Sequence, residues 1–141
     1  MSDWAVREVY SEDGGWKDLI SDSPDQSIFI QDSFLEAILQ PTRRWLLTDA
    51  GRPVLGVLVP VDSTGYPLEE PAPLCAYQGF VRSASWATKA GDNSSILGGY
   101  SYLLEVLGKS LSAFVVETPP GFSDIRPLLW PSHGLKPSVS I

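Results

Sequence analysis

The stretch RRWLLTDAGRPVLGVLVPVDSTG, Arg43 to Gly65, decides the fold. Arg44 to Thr48 predicts a strand. Asp49-Ala50-Gly51-Arg52 predicts the turn, with Gly where a positive φ is useful. Val54 to Val61 predicts the returning strand, and Gly56 is expected at a bulge. Downstream, the proline-punctuated YPLEEPAPLCAYQGFV predicts a third strand over Leu74 to Val81. The polar RSASWATKAGDNSS that follows predicts a mobile surface loop over residues 82–95.

Upstream, GWKDLISDSP puts Trp16, Leu19 and Ile20 on one helical face and breaks at Pro24. QSIFI is a short apolar run, expected as a strand. DSFLEAILQP predicts a helix capped by Asp32 or Ser33, with a stripe of Phe34, Leu35, Ile38 and Leu39, stopped by Pro41. Toward the other end, Ser94 or Ser95 opens a helix carrying Ile96, Leu97, Tyr100, Leu103, Leu104 and Leu107. Its Gly98 and Gly99 weaken it, or allow close backbone packing. SAFVVETPP predicts a buried strand ended by its prolines. These elements give an α/β (α+β) domain around a mostly antiparallel mixed sheet flanked by helices.

The chain of 141 residues is expected to form one domain, 43% hydrophobic and 11% aromatic. Seventeen acidic against ten basic residues, a net charge of -7, argue against nucleic acid or an anionic membrane as partner. A small anionic ligand needs only a local patch and stays open. One cysteine, Cys75, excludes an internal disulfide and fits a reducing compartment. The start MSDWAVREVYSEDGGW lacks a basic stretch followed by an apolar run, so no secretory leader is expected. The longest apolar run, Val54 to Val61, falls far short of the ~18 residues of a membrane span. A cytoplasmic domain without a membrane span is the expectation.

Candidates for chemistry are few. One His and one Cys cannot make a zinc site, and no metal is expected. His133 would have to serve any nucleophile–His–carboxylate site, yet no Gly-x-Ser-x-Gly elbow exists. Cys75, in an apolar context, reads as a core thiol. Asp22 with Asp25, and Glu69 with Glu70, read as solvated loop charge. Glu117 ends an apolar strand, where a half-buried carboxylate can act as a base, or it is an ordinary strand-end charge. Trp86 in its polar loop either docks on a partner or folds back on the core. Tyr77, Trp86 and Arg126 are the substrate-binding candidates. SDIRPLLW reads as a short helix capped by Ser123, with Asp124 in its first turn and Trp130 pinning it to the core. The other reading gives Arg126 an anion to grip.

The run SPDQSIFIQDSFLEAIL, the hairpin WLLTDAGRPVLGVLVPV, PLCAYQGFV and AFVVETPPGFSDIRPLLWPSHG together resemble the first half of FemAB-like proteins, relatives of the GNAT acyltransferases. The resemblance spans Ser23 to Gly134, and its last segment is the most specific. Phe122, Asp124, Arg126, Pro127 and Trp130 match the family pattern, with a structural role for Phe122, Asp124, Pro127 and Trp130. Such proteins pair two GNAT-like halves, with the acyl-donor site attributed to the second. The resemblance therefore implies a GNAT-like fold, possessed here as an amino-terminal, acceptor-side half ending in the tail 135–141. It implies an N-acyltransferase moving an acetyl or aminoacyl group to an amine, with a small-molecule acceptor. An acyl-CoA or aminoacyl donor is implied for a complete member. None is expected on this chain, which lacks the Arg/Gln-x-x-Gly-x-Gly/Ala turn that holds the donor pyrophosphate.

Three functions follow as expectations. The first is the acyltransferase half, completed by a C-terminal half or partner chain. The second is a non-catalytic GNAT-like binding or interaction domain acting with a partner. The third is an independent small enzyme using Glu117 or His133. A half-fold is also expected to expose an apolar face and favour homo-oligomers.

Overall fold

A computed structural model describes residues 3–25, 31–68, 79–88 and 93–111. Its elements run β1 (Trp4–Val9), α1 (Gly14–Asp22), α2 (Asp32–Ala37), β2 (Thr42–Asp49), β3 (Arg52–Pro60), β4 (Phe80–Arg82), α3 (Ala84–Thr88) and α4 (Asn93–Ser110). The four strands form one antiparallel sheet in the order β1-β2-β3-β4. The domain is α+β, with helices on both faces of the sheet.

The quoted hairpin is where it was expected. Asp49 pairs with Arg52 across a two-residue turn, in which Ala50 (φ 51°) and Gly51 (φ 82°) both have positive φ. That is the backbone twist a tight hairpin prefers. The Ala50 N–H donates to the Asp3 carbonyl at 3.0 Å, which draws the start of β1 onto the turn.

The bulge is not at Gly56. The register slips between Leu47 and Thr48, leaving Val54 as the extra residue on β3. The slip puts Val54 and Leu55, neighbours in sequence, into the same apolar cluster. Gly56 answers a different need. A Cβ there would lie 2.6 Å from Trp16 Cζ3 and 2.8 Å from Leu19 Cδ2, so its bare backbone lets α1 seat directly on β3.

Side-chain alternation along the strands divides the core in two. On one face, Val9, Leu46, Leu58 and Val81 meet Trp16 and Leu19 of α1 and Leu35 of α2. On the other, Trp45, Leu47, Val57, Val59 and Phe80 meet Ile96, Tyr100, Leu103, Leu104 and Leu107 of α4. Each fully buried Leu or Val contributes about 1.5–3 kcal/mol. The helical periodicity read for α1 and α4 therefore corresponds to real buried stripes. Asp13 caps α1 by accepting the Trp16 N–H at 3.1 Å, and its carboxylate also pairs with Arg7.

β1 went unrecognised in the sequence, although it forms one side of the sheet. Within the expected loop 82–95, the described residues hold the end of β4 at Arg82, α3, and the start of α4 at Asn93. The physical reason is a set of side-chain anchors around Ser83 and Trp86, described below. The expected strands over QSIFI and SAFVVETPP and the helix over SDIRPLLW lie outside the described residues. Among the described residues, no helix is long and apolar enough to cross a membrane.

Candidate functional site: a depression between α2 and β2

The junction Leu35–Arg44 borders an open, shallow concavity. Gln31, not Asp32 or Ser33, stands at the N-cap of α2, without a side-chain cap bond. The helix ends early, with Ile38 as its C-cap. Leu39 then turns left-handed at φ 55°. The Leu39 N–H donates to the Glu36 carbonyl at 3.2 Å, and the Gln40 N–H to the Leu35 carbonyl at 3.1 Å. This paired closure usually places Gly at the left-handed position. Here a leucine holds it, 86% exposed, so Leu39 leaves the apolar stripe in which it was expected.

Gln40 locks the turn to the sheet. Its Nε2 donates to the Pro41 carbonyl at 2.8 Å and the Val61 carbonyl at 2.9 Å. The Val61 N–H returns a bond to the Pro41 carbonyl at 3.0 Å. The turn is thereby held between the end of α2 and the end of β3.

The resulting depression measures about 390 Å³. Leu35, Leu39 and Pro41 give it an apolar ledge; Ser11, Glu36, Gln40, Thr42 and Arg44 give it polar groups. Arg44 is buried, its guanidinium carbon 5.5 Å from the Trp16 ring centroid. Glu36 is exposed. Beside Ser11, the Glu12 carboxyl is held below its ordinary range. Its own backbone N–H contributes most and the Ser11 hydroxyl next, with the positive charges of Lys17 and Arg44 adding to them. A carboxylate, a guanidinium, two hydroxyls and a carboxamide around an apolar ledge suit recognition of a small molecule with one polar end. Among the described residues, no group of three or more His, Cys, Asp or Glu is placed to hold a metal.

The structure gives Trp86 a definite place: it folds back on the core. It is 7% exposed. Its ring lies edge-on to Trp4 at 5.7 Å and tilted to Tyr100 at 6.0 Å, and it fills the space over Gly99 where a Cβ would clash. Gly99 is therefore a close-packing glycine, whereas Gly98 faces open space. Of the two alternatives read for Trp86, docking on a partner or folding back, this packing is the second.

Asp25 is not a solvated loop charge, and Asp22, exposed at the end of α1, also has a backbone partner. Asp25, 5% exposed at its side chain, accepts from Arg82 Nε and Nη2, each at 2.8 Å, and from the Arg82 backbone N–H at 2.9 Å. Asp22 accepts the Ala84 N–H at 2.8 Å, and Ser83 Oγ accepts the Trp86 N–H at 3.3 Å. The Arg82 guanidinium is held above even its usual high range, chiefly by the bond to Asp25. Together these contacts fasten the end of α1 to the β4–α3 corner.

The other residues singled out from sequence, Tyr77, Glu117, Phe122, Asp124, Arg126, Pro127, Trp130 and His133, lie outside the described residues. None of the residues lining the depression had been proposed as a site. The one local sign was a Leu-Gln-Pro sequence with no glycine where the helix must stop. Comparison of the chain with protein-family models, with curated proteins and with solved structures finds no match.

Proposed function

We propose that this chain is an N-acyltransferase half of the GNAT/FemAB-like kind, and that the depression between α2 and β2 receives the acceptor amine. The carrying observation is the depression itself: Glu36, Ser11 and Thr42 beside the ledge of Leu35 and Leu39, braced by Gln40 against β3. An exposed carboxylate favours an ammonium group, and the ledge suits an aliphatic stem. The antiparallel sheet with helices on both faces is compatible with such a fold. In this reading, the chain's residues orient the acceptor. An acyl-CoA or aminoacyl donor would supply the activated acyl group from a second half.

A second reading, a non-catalytic binding domain acting with a partner, draws on the β4–α3 corner. The backbone N–H groups of Arg82, Ala84 and Trp86 point to Asp25, Asp22 and Ser83. They are not available to cradle a phosphate, so this corner does not fit a donor pyrophosphate. Calorimetric titration of the chain separates the readings. Lysine amide, a primary-amine probe, should bind, and acetyl-CoA should not. Binding of neither supports the second reading; binding of acetyl-CoA overturns the division of roles.

A further inference from the structure

We draw no further inference here: the strongest candidate, the depression between α2 and β2 with the exposed Leu39 at its rim, belongs to the site already described, and nothing in the structure shows what else covers it.

Discussion

Asp25 and Arg82, 57 residues apart, meet in a two-pronged ion pair with both N–O distances at 2.8 Å. The carboxylate also takes the Arg82 backbone N–H, so three donors converge on one side chain that is 5% exposed. The pair adds to the apolar contact of Val81 with Trp16 and Leu19 in holding the end of α1 against the β4–α3 corner. Removing one partner of a buried pair leaves the other desolvated and uncompensated.

Asp25→Ala should therefore destabilise the domain by about 2–4 kcal/mol, because Arg82 retains some solvent access. Asp22→Ala, which removes one bond to a backbone N–H, should lower stability by about 1 kcal/mol. Urea denaturation of the three proteins measures both. A loss under about 0.5 kcal/mol for Asp25→Ala would show that the corner is held by something else.

Gly56→Ala should destabilise by about 1–3 kcal/mol, because the new methyl meets Trp16 and Leu19 on α1. Gly98→Ala, which meets nothing within 4 Å, should instead stabilise α4 by about 1 kcal/mol. Thermal melts of the pair distinguish a close-packing glycine from a merely tolerated one.

Leu39→Gly should relieve the left-handed strain and stabilise the chain by about 1 kcal/mol. It should also weaken capture of an amine probe, since the ledge loses its outer wall. Ala50→Gly, the same relief in the hairpin turn, should raise stability without touching that binding. Equal effects of both variants on binding would remove Leu39 from the site.

Stability should fall on acidification partly through Asp13. Its carboxyl is held below the usual range, first by the Arg7 hydrogen bond and further by the Trp16 N–H. A depressed carboxyl adds stability above its unfolded value, near pH 4, and loses it as pH drops through the folded value. Asp13→Asn should keep a capping oxygen yet flatten this acid limb below about pH 4. Denaturation curves collected across that window compare the slopes. An unchanged slope would mean that Asp13 is not a source of the dependence.

The legible parts of the fold were those with local signatures. The hairpin showed through Ala-Gly between apolar runs; α1 and α4 showed through Trp16, Leu19, Leu103 and Leu107 at helical spacing. β1 was hidden because Arg7 and Glu8 interrupt it, and their partners, Asp13 at the cap of α1 and Arg43 on the neighbouring strand, account for those charges. The corner around Trp86 looked like a loop because Asp22 and Asp25, about 60 residues away, supply its order. The depression was illegible for a related reason. Glu36 and Gln40 come from one segment, Ser11 from another, and only the closure at Leu39 brings them to one rim.

Under the proposal, Glu36 in the α2–β2 depression holds the acceptor amine. The most direct test is an amide-resolved NMR titration of the chain, and of Glu36→Gln, with lysine amide. The account predicts saturable shifts concentrated at residues 35–44 and Ser11, with affinity at least several-fold lower in Glu36→Gln. Shifts elsewhere, or equal binding by both proteins, would contradict it.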